Sequence, residues 1–464
     1  MSKHGQYQSL TGAEQATRFT GGPDYFTNKH MFAIITNKNI CSGVIILISD
    51  DERLIFHIDV NSAYLSWTAV KLLQYGSELD IREVPSVIGG NEENRHGIIL
   101  AASIPAKKLG IKTGESIFEA KQKCSDLIIY PPDYNWYVKS SNAMVEILNE
   151  YTPKIQRYSI DECFMDCTHF KDNYKKISMI IKMRISNELG FNCNIGISTN
   201  KLLAKMASDF KPKNTIHTLF KEEIKTKMWP LPVSELFMVG RATQNKLKNL
   251  NIKTIGDLAA FDVKILTEKL HSHGKLIHDY ANGIDNSDVR KSNYLEIKGI
   301  GNSTTISYDV DNIEEALKIL LSLTETCAIR LRENNSLCSL VAVSIKTNNF
   351  IHYSHQKQLE NATDSTSEIF NGIRKTFIEM YRGEKIRQIG IRLTKLCSNE
   401  YYQGTLFDFE KIEKQKKIDE VMDSIRKKYG KEAVIRSCFI HSGIKPLSGG
   451  TGSEEYYPIM SSIL

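Results

Sequence analysis

A chain of 464 residues is too long for one ordinary core, so three or more domains are expected. Its 41% hydrophobic and 25% charged residues are usual for a globular protein in water. The apolar run Val44–Ile48 is too short to span a bilayer, so nothing argues for export or membrane insertion, and a cytoplasmic location is expected. A net charge of +6 permits nucleic-acid binding without demanding it, and nine cysteines without a CxxC pair read as reduced thiols, not as a disulfide framework or zinc site.

Residues 1–53 read as a partly disordered N-terminal extension: 1–30 are polar with no hydrophobic period, and the apolar alternation in 31–50 has no clear place. The first strong element is a strand, Leu54–Val60, carrying Asp59 near its end. Asn61-Ser62 then caps a helix through Tyr64, Trp67, Val70 and Leu73. An acid at a strand end before a helix N-terminus suits phosphate and metal chemistry, although it could equally help to cap the helix. Short strands at Val84–Ile88, Ile98–Ala102 and Leu127–Tyr130, with helical pieces at Pro105–Leu109 and Ser116–Lys123, form a compact insertion before a long helix, Asp133–Glu150.

Ile155–Asp166 then reads as one buried strand containing the adjacent acids Asp161 and Glu162. Neighbours in a strand point to opposite faces, so both acids reach water only if the strand ends at the surface. Otherwise a partner or a cation must offset their burial. A helix (Asn173–Leu189), a strand (Cys193–Ser198) and a Lys-bearing helix (Asn200–Phe210) follow. The order suggests a mixed or antiparallel sheet with helices on one face, an α+β arrangement. Lys201 and Lys205 read as snorkelling side chains of an amphipathic helix, with cations near a polyphosphate as the alternative.

Leu231–Tyr280 is helical, and Leu236–Leu258 has the pattern of a helix–hairpin–helix, whose free N–H groups suit a nucleic-acid backbone. Residues 297–396 form a second α+β unit with Lys298, Lys346, Arg387, Arg392 and Lys395 on or beside its strands. In the tail, Gln403-Gly404-Thr405-Leu406-Phe407 precedes a charged helix over Glu410–Lys428, and the Gly/Ser-rich stretch from Gly443 reads as mobile.

Three collinear motifs carry a resemblance: His57-Ile58-Asp59-Val60-Asn61-Ser62-Ala63-Tyr64, Tyr158-Ser159-Ile160-Asp161-Glu162, and Gly196–Lys205 with Lys211-Pro212. Together they resemble the Y-family translesion DNA polymerases of the bacterial polymerase IV/V type over residues 54–440. The resemblance implies an α+β, multidomain right-hand polymerase. Its expected parts are a ferredoxin-like palm (54–71 and 132–226), small fingers (72–131), a helix–hairpin–helix thumb (227–292), an α+β little finger (297–396) and a tail (397–464). It implies template-directed addition of deoxynucleoside triphosphates to primer–template DNA, in an active site open enough for damaged templates beside the small residues Gly97, Ala101 and Ala102.

The same resemblance implies that Asp59, Asp161 and Glu162 are catalytic and hold two Mg²⁺ ions with the Val60 carbonyl, Glu162 serving the primer-side ion. Tyr64 would be the steric gate against a 2′-hydroxyl, and Lys107 and Lys211 would bind the triphosphate. Gln403, Leu406 and Phe407 would bind a sliding clamp. A monomer is expected. Three departures stand out: Ile104 where the family usually has Tyr, Lys107 where it has Arg, and Met238-Val239-Gly240 where it often reads Gly-Ile-Gly. A lysine keeps the charge without the bidentate fork, so weaker nucleotide affinity is expected. A catalytically silent DNA-binding homologue and a nucleotide cyclase remain as rivals, separable by primer extension and by DNA-independent turnover.

Overall fold

The computed structural model describes residues 52–90, 95, 97–290, 297–399 and 409–448, with side chains from 413 onward in the last stretch. The readings for residues 1–51 and for Gln403, Leu406 and Phe407 lie outside the described residues. No helix among the described residues is long and apolar enough to cross a membrane.

β1 (Ile55–Val60) leads directly into α1 (Ala63–Gln74). The chain then builds a small unit from β2 (Ser86–Gly89), β3 (Ile99–Ala102), α2 (Ile104–Lys108), α3 (Ile117–Lys123) and β4 (Ile128–Tyr130). Ser116 closes a capping box with Glu119 at the start of α3, which fixes where that helix begins. The chain returns through α4 (Tyr134–Asn149), β5 (Ile155–Arg157), β6 (Glu162–Asp166), α5 (Tyr174–Leu189), β7 (Cys193–Ser198), α6 (Lys201–Asp209) and β8 (Ile216–Thr218).

The first sheet runs β5-β6-β1-β7-β8 and is antiparallel except for the β7–β8 pair. Ile55, Phe56, His57 and Ile58 are each at most 1% exposed, so both faces of β1 are covered, correcting the expectation of helices on one face. α6 covers the face of His57, whose Nδ1 lies 2.8 Å from Ser208 Oγ. That approach needs Gly196, cross-strand from His57, because a Cβ there would sit 1.9 Å from the Ala204 carbonyl oxygen.

Residues 155–166 are a hairpin, not one strand. Ile155 lies opposite Met165 and Arg157 opposite Cys163, and the amides of Tyr158 and Ser159 both donate to the Glu162 carbonyl across the turn. Ile160, inside that turn, is only 6% exposed, which is why the run looks like a buried strand in sequence.

α7 (Arg241–Asn249), α8 (Ile255–Ala260), α9 (Val263–Leu270) and α10 (Ser272–Ala281) pack around Leu236, Leu247, Ile255, Leu266 and Ile277. The left-handed position before α7 falls on Met238 (φ 72), while Gly240 is at φ −81. A side chain in that region costs about 1–2 kcal/mol, which burial of the flanking Leu236 and Val239 helps to offset.

The last unit contains β9 (Gly299–Val310), α11 (Ile313–Glu333), β10 (Ser336–Thr347), β11 (His352–Thr363), α12 (Thr366–Met380) and β12 (Ile386–Ser398), in the antiparallel order β11-β10-β12-β9. Alternate residues such as Val341, Val343, Ile389 and Ile391 enter its core. By register, the opposite face carries Ala342, Ser344 and Lys346 beside Gln388, Gly390 and Arg392, then Gly301 and Ser303 on one side and Ser354 and Gln356 on the other. These paired rows hold cations and small polar residues, and no acid.

α13 (Phe409–Tyr429) docks on this unit largely through charge. Buried Glu325 of α11 accepts from Arg426 at 3.1 Å and Arg436 at 2.9 Å, and Arg332 donates to Asp423 at 2.7 Å. Beyond it, Ile444 and Leu447 are buried, and Ser322 bonds the backbone of Lys445 and Ser448. The beginning of the Gly/Ser-rich stretch is therefore anchored instead of mobile, because two apolar side chains three residues apart reach the core.

Candidate active site

Asp59 sits on the central strand with Glu162 opposite it on β6 and Asn194 opposite it on β7. Cross-strand partners share a face, so the Asp59 and Glu162 carboxylates project to the same side. The Asp161 carbonyl accepts from the Val60 amide at 3.1 Å, which ties the hairpin turn to the end of β1. The turn thus brings Asp161 beside the other two acids, and the opposite-face argument from a single strand does not apply.

The three carboxylates differ in how they are compensated. Glu162 Oε1 lies 2.6 Å from Lys205 Nζ, in a pair whose side chains are 11% (Lys205) and 17% (Glu162) exposed. Asp161 Oδ1 accepts from Ser159 Oγ at 2.5 Å. Asp59 receives only a long contact from Asn194 Nδ2, 3.5 Å, and makes no ion pair among the described residues. Burial, then Glu162 and then Asp161, push its carboxyl up to about 7. Lys205 is held above its ordinary range: burial opposes its charge, but Glu162, Asp209 and Asp59 outweigh it.

Among the described residues no three His, Cys, Asp or Glu side chains already stand at metal-ligand spacing. Glu162 is drawn toward Lys205 and Asp161 toward Ser159. The donor set nevertheless fits a hard divalent cation: it is all oxygen, and half-buried Asp59 makes no ion pair among the described residues. The lysines of α6 do not snorkel, since Lys201 is 1% and Lys205 8% exposed. Lys201 donates to Gln156 Oε1, while the Lys205 ammonium lies 5.1 Å from the Tyr158 ring and 5.7 Å from that of Phe237.

A cavity of about 950 Å³ opens beside these acids, with Asp59, Val60, Asp161, Tyr64, Lys107 and Lys213 in its lining. Tyr64 stacks on Tyr137 at 4.6 Å and meets Tyr134 edge-on at 6.1 Å, so its ring is held from behind while lining the cavity. Ser62 does not cap α1 with its side chain. It takes a left-handed conformation (φ 47), and its hydroxyl accepts from Lys107 Nζ at 2.7 Å. Burial first, then Lys213, lowers the Lys107 pKa. Ile104 also lines the cavity, 67% exposed and without a polar group to offer.

Lys211 is exposed and outside that lining, while Lys213 is part of it. The chain turns there at Asn214 (φ 62), whose amide donates to Asn194 Oδ1 at 2.6 Å. Of the two cations in the Lys-Pro-Lys run the resemblance singled out Lys211, and no sequence signal pointed to Lys213. Lys205 was likewise missed as the partner of Glu162, because a lysine on an amphipathic helix has no local mark of burial.

Comparison with known proteins agrees with this geometry. Residues 58–209 match the impB/mucB/samB family, residues 297–406 its C-terminal domain, and residues 221–252 the IMS family HHH motif. The chain belongs to the Y family of translesion DNA polymerases, which are DNA-directed DNA polymerases. It is 51% identical over 392 residues to DNA polymerase IV of Clostridium acetobutylicum, covering 84% of this chain and 98% of that protein. DNA polymerase IV 1 of Bacillus subtilis is 33% identical, over 88% of this chain and 98% of that one. Among solved structures, a Y-family polymerase chimera, Dbh-Dpo4(243-245)-Dbh, superposes with a TM-score of 0.63 at 21% identity, over 75% of this chain and all of that one, which supports the fold.

Proposed function

We propose that the chain extends a DNA primer by template-directed addition of deoxynucleotides, including across damaged template, with Asp59, Asp161 and Glu162 as the catalytic carboxylates. The observation that carries this reading is the register pairing of Asp59 with Glu162, beside Asp161, where Asp59 makes no ion pair among the described residues. These acids, with the Val60 carbonyl, would hold two Mg²⁺ ions. When bound, the ions lower the pKa of the primer 3′-hydroxyl and neutralise charge on the triphosphate. Glu162 leaves Lys205 to take up that role. Tyr64, braced by Tyr137, closes the sugar side of the cavity against a 2′-hydroxyl. Lys107 and Lys213 face the triphosphate from the lining, and Lys211 approaches it from outside.

In domain terms, 54–71 and 132–226 act as palm, 72–131 as fingers, 227–292 as thumb and 297–396 as little finger, with the sheet face that carries Lys346 and Arg392 against duplex DNA. The protein works in the cytoplasm as a monomer. Gln403, Leu406 and Phe407, between β12 and α13, bind a sliding clamp, and Leu406→Ala/Phe407→Ala should abolish clamp pull-down.

Primer extension on intact and lesion-bearing templates tests the core reading, with Asp161→Ala/Glu162→Ala as the blank. Mg²⁺-dependent extension by the natural chain alone is expected, with ribonucleotides admitted by Tyr64→Ala. Extension by the double variant would remove the carboxylates from their role.

A further inference from the structure

We propose that Phe350, at the tip of the β10–β11 hairpin, stacks on an unpaired base of the single-stranded template, an inference that rests on the polymerase reading above. Phe350 and Ile351 are each 62% exposed, an apolar pair at a loop tip. The tip is held in place: Thr347 N donates to the Ile351 carbonyl at 2.9 Å, Phe350 N to the Thr347 carbonyl at 3.0 Å, and Ile351 N to Thr347 Oγ1 at 3.2 Å. Phe350 itself sits at φ 64, a conformation unfavourable for a bulky side chain, so the turn spends stability to present this ring.

Two cations flank the ring. Lys346 Nζ lies 4.9 Å and the Arg387 guanidinium 5.0 Å from its centre. An aromatic face beside two cations matches a nucleotide, whose base stacks while its phosphates meet the positive charge. No other polymer offers a flat π-surface and a phosphate at each repeat.

Position specifies which strand. Lys346 belongs to the outer sheet face with Arg392, so the ring stands at the rim of the surface assigned to duplex DNA. Ile386 pairs with both Thr347 and Val310, so the hairpin tip and the end of β9 share one end of the sheet. At that end Asp309 receives Arg95 at 2.6 Å, and Arg95 belongs to the unit whose Ala101 and Ala102 line the active-site cavity. Phe350 therefore lies at the end of the sheet that also contacts the unit lining the cavity, a place the polymerase reading assigns to template not yet copied.

The test is a pair of primer–templates with identical duplexes, one blunt and one with a six-nucleotide 5′ template overhang, bound to the full-length protein and followed by anisotropy. Phe350→Ala should weaken binding to the overhang substrate roughly fivefold or more and leave the blunt duplex unchanged. Phe350→Trp should retain binding, and 2-aminopurine at one overhang position should lose its quenching in Phe350→Ala only. Equal loss on both substrates, no loss on either, or full rescue by Phe350→Leu would overturn the proposal. Mg²⁺-dependent extension by the natural chain on the same overhang substrate separates failure of this contact from failure of the polymerase reading.

Discussion

Two clusters of acids among the described residues, one buried and one half-buried, are built on opposite terms. Under α13, Glu325 is 1% exposed but takes hydrogen bonds from Arg426 and Arg436, while Arg332 serves Asp423 and Asp419. At the end of β1, the one ion pair that Asp59, Asp161 and Glu162 make among the described residues is that of Glu162 with Lys205. The first cluster is neutralised from within and fastens a helix to a domain. The second is left short of positive charge, and burial first, then Glu162 and Asp161, raise the Asp59 carboxyl to about 7. A buried acid with its own arginines is structural. One without them marks where a cation from solution belongs.

The sharpest way to break this comparison is the same acid-to-amide change in each cluster. Asp59→Asn should lower primer extension by more than about 10³-fold, since it removes a charge that acts at the reacting phosphate. The same change should raise thermal stability in metal-free buffer, because it removes like-charge repulsion. Glu325→Gln should do the reverse. It leaves Arg426 and Arg436 facing a neutral amide in a buried place, with an expected loss of about 3–5 kcal/mol in chemical denaturation. If both amides destabilise alike, the two clusters are not different in kind.

Lys205 offers a finer probe. It pairs with Glu162, so the proposed metal site requires an ion to displace it. Lys205→Met should lower stability in metal-free buffer yet strengthen divalent-ion binding, with Mn²⁺ affinity rising roughly fivefold or more for loss of a charge-assisted bond of about 1.5–3 kcal/mol. Mn²⁺ titration followed by electron paramagnetic resonance reads this without turnover. Weaker Mn²⁺ binding in the variant would mean that Lys205 positions Glu162 for the ion instead of competing with it.

The sequence made the outline of both regions legible but not their electrostatics. The motif around Asp59 and the Asp161-Glu162 pair pointed to the site through residue types that metal chemistry requires. The hairpin that assembles it stayed hidden, because Ser159-Ile160-Asp161 lacks Gly, Pro or Asn and Ile160 is buried like a strand residue. Lys205 read as snorkelling to solvent, since local sequence does not show which distant acid a cation meets. Met238 was noticed as a missing glycine, but only backbone geometry shows that the left-handed position falls on it and not on Gly240. What sequence conveys well here is periodicity and catalytic residue type. Charge pairing across 43 positions, as in Lys205 with Glu162, is a property of the fold.

The smallest expected effect is also the most specific to the deficit at Asp59. An unfolded carboxyl titrates near 3.9, whereas folded Asp59 titrates at about 7. Between those values the folded state keeps a proton that the unfolded state has released. Stability in metal-free buffer should therefore fall as pH rises from about 4 to 7 and level off above, with a contribution of at most about 1.4 kcal/mol per pH unit. Asp59→Asn should remove that component, and Glu325→Gln should keep it. Saturating Mg²⁺ should remove it as well, because an ion bound only by the folded state favours the ionised carboxylate. A slope that persists unchanged in Asp59→Asn would place the titrating group elsewhere, and the uncompensated charge on β1 would lose its support.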